Sequence, residues 1–317
     1  MKVVLAGGSG HLGQLLAQDL TRQGHEIAVL TRARRGVPGG VQWDGRHLGA
    51  WARTLDGADA VINVAGRSVN CRYTKTNLQE MLASRVDSTR AIGQAIQQAA
   101  HPPHIWLQMS TATIYAHRFD APNDEATGLI GGDEPGVPAY WRTSIDIAQA
   151  WERALNDPRT PDTRKVALRS AMVMSPEPGG VFDILRRLTS VGLGGPIAGG
   201  RQFMSWIHDA DFVRAVTFLL ARDDIAGPVN LAAPQPLPQR DLMATLRSAC
   251  GVPIGIPATA GLLEIAAFIH RTDTELLLKS RRVVPGRLLD AGFRFDFPAW
   301  PDAARDLLAR ACKRIAA

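Results

Sequence analysis

Lys2-Val-Val-Leu-Ala-Gly-Gly-Ser-Gly-His-Leu-Gly13 decides how this chain is read. Val3, Val4, Leu5 and Ala6 run without polar interruption into a glycine cluster, and Leu12, Leu15, Leu16 and Leu20 follow at helical spacing. A short unbroken apolar run is a buried strand, and the pattern after it is an amphipathic helix. Gly7 lets the chain leave the strand sharply, Gly10 clears the backbone where a pyrophosphate approaches, and Gly13 lets the helix lie close to the strand. The glycines at 7, 10 and 13 fit G-x-x-G-x-x-G, and those at 8, 10 and 13 fit G-x-G-x-x-G. Either match alone is weak in a chain with 30 glycines, and the strand-turn-helix setting is what gives it weight. The free N–H groups and partial positive charge of that helix start suit a phosphate.

Glu26-Ile-Ala-Val-Leu30 reads as the second strand. Its end selects the ribose of a dinucleotide, where Asp or Glu holds an unphosphorylated 2′-hydroxyl. The residues here are Thr31-Arg32-Ala33-Arg34-Arg35, with no carboxylate. A guanidinium holds a 2′-phosphate that an acid would repel, so the expected cofactor is NADP(H), with Thr31 and Arg32 as first contacts.

A short strand is expected at Val41 to Trp43, and another from Ala60 that ends at Ala65-Gly66. Small residues at the carboxyl end of a parallel strand allow a cofactor to approach. Leu78 to Ala100 reads as a long amphipathic helix stopped by Pro102-Pro103. Ile105 to Met109 is a fifth strand that delivers Ser110-Thr111-Ala112-Thr113-Ile114-Tyr115 to the same edge. Residues 120–138 read as a loop, Ala139 to Leu155 as a helix and Val166 to Val173 as a sixth strand. Past the glycines at 179, 180, 192, 194, 195, 199 and 200 stand Arg201 and Trp206-Ile-His-Asp209, with Asp209 expected to cap a helix ending near Ala221. From Val229 onward, proline-marked turns suggest a smaller lobe closing over the cofactor edge.

The 317 residues suit a nucleotide domain plus a smaller part, and 45% hydrophobic content supplies a sizeable core. The N-terminus enters a strand at once, and no apolar run reaches the ~20 residues that span a bilayer, so no membrane partner and a cytoplasmic location are expected. Cys71, Cys250 and Cys312 are odd in number and far apart, which favours a reduced compartment. His101-Pro-Pro-His104 has no neighbouring thiol or carboxylate and is read as a loop without metal. The net charge of +6 is carried mostly by scattered Arg, with Lys only at 2, 75, 165, 279 and 313. No basic strip interleaved with aromatics accompanies it, so nucleic acid is not expected as a partner.

Gly7 to Gly13, Asn63-Val-Ala-Gly66 and the Ser110 to Tyr115 cluster resemble the extended short-chain dehydrogenase/reductases, the group that holds sugar-nucleotide epimerases and dehydratases. Further stretches are similar to its YfcH-like branch, the nucleoside-diphosphate-sugar epimerase family proteins. They are Trp43-Asp44, Ser84-Arg-Val86, Gly192-Leu-Gly-Gly-Pro-Ile197, Gly200-Arg-Gln-Phe203, Ser205-Trp-Ile-His208, Val284-Pro-Gly-Arg287 and Ala291-Gly-Phe293. The resemblance spans essentially the whole chain. It implies an α/β fold, a Rossmann-type doubly wound parallel sheet with a smaller C-terminal α/β substrate lobe. Residues 1–175 would form the NADP-binding core and 176–317 the lobe, with sheet elements interleaved near 203–232. It also implies a cofactor-binding set of Gly7, Gly10, Leu12, Gly13, Thr31, Arg32, Val64, Ala65, Glu80, Arg85 and Val173.

One departure from that group matters. Its members normally use Tyr-x-x-x-Lys, in which the ammonium lowers the tyrosine pKa from about 10. Four residues after Tyr73, Tyr115 and Tyr140 stand Asn77, Phe119 and Ser144, so the pair is absent. Matched through Glu152, the usual Tyr and Lys positions fall on Ser144 and Ala148.

The leading expectation is an atypical NADP(H)-dependent oxidoreductase or epimerase-like enzyme. Thr111 would polarise the substrate oxygen, with Ser110 and Thr113 in support. Tyr115 or Tyr140 would move the proton, and Arg201 and His208 would contact the substrate, an unidentified small molecule. The alternative is a sensor that binds NADP(H) without turnover. A pocket lined by Thr111, Tyr115, Arg201 and His208 favours the enzyme; a filled edge favours the sensor. A homodimer paired through the helices at 78–100 and 139–155 would suit the wider group.

Overall fold

Val3 to Ala6 form a strand, as their unbroken apolarity requires. In the computed structural model, which describes residues 1–32, 37–258 and 275–316, β1 (Lys2–Ala6) leads through the glycine turn into α1 (His11–Arg22). β2 (Glu26–Thr31), β3 (Gly40–Gln42), β4 (Ala60–Asn63), β5 (Ile105–Thr111) and β6 (Arg164–Ser170) follow. Together with the later β10 (Gly227–Leu231) they make one seven-stranded sheet, in the order β10-β6-β5-β4-β1-β2-β3. Every pairing in it is parallel. The strand order changes direction at β1, so the crevice at the carboxyl ends of β1 and β4 is where such a sheet takes a ligand.

The alternation of side chains along a strand assigns the two faces. Val3 and Leu5 enter one buried cluster with Leu16 and Leu20 of α1 and with Phe212, Val216 and Leu219 of α5 (Asp209–Leu220). Val4 and Ala6 enter the other, with Ala91, Ile92 and Ala95 of α2 (Lys75–Gln98) and Trp106 of β5. Helices therefore cover both faces, which is why β1 carries no polar residue between Val3 and Ala6. α3 (Arg142–Asn156) lies beside α2 and closes its face with Trp151 and Leu155.

A second core lies beyond the sheet. It joins β7 (Met172–Met174), α4 (Val181–Ser190), β8 (Phe203–Met204), β9 (Trp206–His208), β11 (Leu237–Pro238), α6 (Gln239–Ala249) and α9 (Trp300–Ala316). Phe182, Trp206, Leu242, Leu246 and Trp300 are its buried centre. Between α6 and α9 the described chain holds two short helices, α7 (Glu275–Leu278) and α8 (Gly286–Asp290). No helix among the described residues is long and apolar enough to cross a membrane.

Several expected bounds shift for local reasons. The long helix starts at Lys75 rather than Leu78, because Thr74 caps it by accepting from the Asn77 N–H. The strand expected at 166–173 is two strands. β6 stops at Ser170, where Ala171 N–H bonds to Leu231 O at 2.9 Å, and β7 leaves the large sheet to pair with β9. Ala139–Trp141 is a 3-10 turn ahead of α3. The cap of α5 is His208, whose ring nitrogen accepts from Ala210 N–H; Asp209, expected in that role, is the first helical residue.

Candidate functional site

The glycine turn sits at the carboxyl end of β1, against the end of β4. Gly7 has φ +80°, and a Cβ there would lie 2.7 Å from the Ala65 nitrogen. A Cβ on Gly13 would meet Gly7 O and Gly8 Cα, both at 2.4 Å, so α1 packs directly on the turn. Gly10 differs: a Cβ there would find only Gly7 O, at 3.4 Å. Gly10 caps α1 without a side-chain bond, and helix geometry leaves the N–H groups of His11, Leu12 and Gly13 without intrahelical acceptors. Open space in front of three free donors and a helix dipole fits a pyrophosphate.

Leu12, Val64 and Val173, from α1, the end of β4 and β7, lie partly buried on the rim of the same core cluster. Ala65 is fixed by a polar chain under it. Its N–H bonds to Asn63 Oδ1 at 3.0 Å, Asn63 Nδ2 to Gln108 Oε1 at 2.9 Å, and Trp106 Nε1 to the same oxygen at 3.1 Å. Thr31 is buried at the end of β2, while Arg32 is exposed. Ala33 to Gly36 lie outside the described residues, so Arg34 and Arg35 have no structural account.

Arg85 and Glu80, both on α2, have different surroundings. The Arg85 guanidinium lies 5.0 Å from the Trp151 ring centre, against the place a Gly66 Cβ would fill, and donates to Met81 O at 3.0 Å. Burial pulls its pKa down to about 10, so it stays charged at neutrality. Glu80 is exposed and paired with Arg67.

On β5, Ser110 and Thr111 diverge because successive residues face opposite sides. Thr111 is half-buried, and its Oγ1 accepts from Thr113 N–H at 3.1 Å, which holds the 3-10 turn Ala112–Ile114 at the strand end. Ser110 instead donates to Glu152 Oε1 of α3 at 2.7 Å. Glu152 receives two bonds from Arg169, both at 2.8 Å. Arg169 Nη1 reaches the Tyr115 hydroxyl at 3.0 Å, and that hydroxyl donates to Asn230 Oδ1 at 2.9 Å. Ser110, Arg169 and Asn230 form one rung across β5, β6 and β10. Burial opposes the charge on Arg169, but the bonds and charge of Glu152 outweigh it and hold the guanidinium protonated.

Two expected side chains are buried in the core. Tyr115 is 1% exposed, and burial pushes its hydroxyl pKa above the usual value, against the pull of Arg169. With both its hydrogen bonds committed inside the core, it holds the rung together rather than facing a substrate. His208 is fully buried and stacked on Phe297 at 3.8 Å. Its Nε2 lies 3.0 Å from Asp306, and its Nδ1 accepts from Ala210 N–H, so it is a helix cap instead of a substrate contact. Arg201 is exposed after Gly200, and Tyr140 is exposed with its ring edge-on to Trp141. The structure therefore brings Gly7, Gly10, Leu12, Gly13, Val64 and Ala65 together where β1 and β4 end, with Thr31 at the end of β2 and Val173 on β7, outside the large sheet. It does not gather Thr111, Tyr115, Arg201 and His208 around one pocket. A shallow hollow lined by Met1, Asp59, His104 and Arg164 lies at the opposite edge, by the amino ends of the strands.

Residues 3–232 match the family described as the NAD dependent epimerase/dehydratase family. The chain belongs to that family. Within it, the missing Tyr-x-x-x-Lys pair makes this an atypical extended short-chain dehydrogenase/reductase. Residues 259–307 match a second family, a domain of unknown function designated DUF1731. The human epimerase family protein SDR39U1 is 30% identical over 312 residues, covering 98% of this chain and 100% of that one. Epimerase family protein YfhF of Bacillus subtilis is 28% identical over 98% of each chain. The crystal structure of human SDR39U1 with NADPH superposes with a TM-score of 0.84 at 29% identity, covering 98% of this chain and 99% of that one. A UDP-N-acetylglucosamine 4-epimerase from Bacillus cereus, at 18% identity and TM-score 0.71 over 98% and 99% of the two chains, shares the fold.

Sequence reasoning missed Gln108, Arg169 and Asn230, took Asn63 only as part of a motif, and used Glu152 only to set the match along its helix. The signal that finds them is register: polar residues of otherwise apolar central strands face each other at two rungs, Asn63 with Gln108 and Arg169 with Asn230, and must find partners there.

Proposed function

We propose that this protein binds NADP(H) in the crevice at β1 and β4 and uses it to reduce or oxidise a carbonyl or alcohol carbon of a small substrate. The observation that carries the reading is the glycine turn, with Gly7 and Gly13 closed by backbone while Gly10 stays open before free N–H groups. Those donors would hold the pyrophosphate, with Leu12, Val64, Ala65 and Val173 flanking the cofactor. Thr31 and Arg32 would meet the 2′-phosphate, since β2 ends without a carboxylate. The NADPH found with human SDR39U1 supports the phosphorylated form. Bound NADP(H) would supply hydride chemistry. Thr111, half-buried at the end of β5, would orient the substrate oxygen through its hydroxyl proton, its Oγ1 lone pair being engaged by Thr113 N–H.

NADPH consumption against a panel of nucleotide-sugars, aldehydes and ketones tests this reading. A substrate turned over by the wild type and lost in Thr111→Ala, with cofactor binding kept, supports it; full activity in Thr111→Ala removes Thr111 from the reaction. The burial of Tyr115 and His208 favours the second reading, a sensor that binds NADP(H) without turnover. Cofactor uptake with no consumption across the panel would select it.

A further inference from the structure

The positions that usually carry the tyrosine and lysine hold Ser144 and Ala148, and Ala148 is fully buried among apolar side chains. A cation nevertheless enters from another part of the chain. Lys279 follows α7 directly and is 0% exposed. Its Nζ donates to Thr113 O at 3.0 Å and stands 3.8 Å from Glu275 Oε1, also 0% exposed. The other carboxylate oxygen, Glu275 Oε2, accepts from Ser144 Oγ at 2.5 Å. Val283, a few residues on, packs with Ala112, Ile114 and Ala148, so this segment is seated against both the end of β5 and α3.

An unneeded buried Lys–Glu pair is an expensive feature, since desolvating both charges offsets their attraction and apolar residues would pack as well. We propose that Ser144, Glu275 and Lys279 form a proton relay that takes the place of the missing Tyr-x-x-x-Lys pair, with Ser144 at its open end. This inference rests on the NADP(H) reading above. When the substrate carbon accepts hydride from the reduced cofactor, the carbonyl π pair moves onto oxygen. That oxygen takes the proton of Ser144 Oγ; Lys279 Nζ swings off Thr113 O and protonates the ionised Glu275 at Oε1, and the carboxyl group turns to pass that proton to Ser144 Oγ, which leaves Glu275 a carboxylate again and Lys279 a neutral amine. Lys279 then recovers a proton from water, so one hydride and one proton are added per alcohol formed. Oxidation runs the same chain backward.

The lysine is suited to this. Burial, reinforced by the neighbouring charge of Arg281, brings its pKa down to about 8 against the opposing pull of Glu275 and Glu134. His117, on the chain after the 3-10 turn, feels the same ammonium, and Tyr73 acts electrostatically on Arg281.

Replacing Lys2, Lys75, Lys165 and Lys313 with Arg leaves Lys279 as the only lysine, and 13Cε-lysine NMR then reads its titration directly. Should that variant not fold, the wild-type signal lost in Lys279→Arg identifies the same line. Uptake of NADP+ and NADPH is first established by calorimetry, and titrations follow in each complex. The oxidised ring carries a positive charge that the reduced ring lacks, so a relay beside the reacting atoms should titrate lower with NADP+ than with NADPH, by about one pH unit. The same midpoint in both complexes overturns the relay and leaves cofactor binding standing. Failure to take up either form overturns the functional reading, and the relay with it.

Discussion

Gly7 and Ala65 press together where β1 and β4 end, with a Gly7 Cβ placed 2.7 Å from the Ala65 nitrogen at φ +80°. The contact joins the tight turn to the strand end that carries Val64 and Ala65. Gly7→Ala must strain the backbone and push against main chain that cannot rotate away, a combined cost of about 3 kcal/mol. Urea unfolding checks this, and a loss below about 1 kcal/mol would show that the turn relaxes.

Gly10→Ala separates fold from ligand. The added methyl meets only Gly7 O at 3.4 Å, so stability should change by less than about 0.5 kcal/mol, the range of a tolerated surface substitution. The same methyl projects into the space assigned to the pyrophosphate, and NADPH affinity should fall at least about tenfold, or 1.4 kcal/mol. Unchanged affinity in a folded Gly10→Ala protein would move the pyrophosphate elsewhere.

Tyr115→Phe tests whether the tyrosine is a strut. Its hydroxyl links Arg169 to Asn230, and removing it leaves buried partners unsatisfied at a cost of about 1–3 kcal/mol. Urea midpoints should drop while NADPH affinity and any turnover stay within about twofold, a change worth under 0.5 kcal/mol. Loss of turnover with full stability would return Tyr115 to the reaction.

Acid should weaken the fold through its buried histidines. Burial lowers the pKa of His208, and of His11 and His117, below the ordinary value of 6.5. As pH falls through 6.5 the unfolded chain takes up protons that the native imidazoles refuse, so stability present above that pH is lost on the way down. Thermal melts between pH 7.5 and 5.5 should show the decline. His208→Asn, which keeps a capping acceptor, should flatten it, and an unaltered slope would exclude His208 as a contributor.

The nucleotide half of this fold was legible because its signals are local. Val3 to Gly13 carries strand, turn and helix in one stretch, and the glycine spacing maps onto observed contacts at Gly7 and Gly13. The polar rung was not legible. Ser110 meets Glu152 across 42 positions, and Tyr115 meets Asn230 across 115; the register of three parallel strands, the seating of α3 and the turn after β5 together bring them into contact. His208 was expected to contact the substrate because an ordinary imidazole titrates near neutrality, while the residues that bury and bond it, Phe297 and Asp306, lie far along the chain. Lys279 was hidden by a general expectation, since a lone lysine belongs at the surface; its burial shows only once α7 is seated on Thr113 and Ser144.

The central claim is that the crevice at β1 and β4 takes a dinucleotide bearing a 2′-phosphate. Titrating the folded protein with NADPH and with NADH in parallel, by calorimetry at one salt concentration, tests it most directly. The account predicts that NADPH binds at least about tenfold more tightly, the worth of one charge-assisted contact to the phosphate. Equal or tighter binding of NADH, or no heat from either, would contradict it.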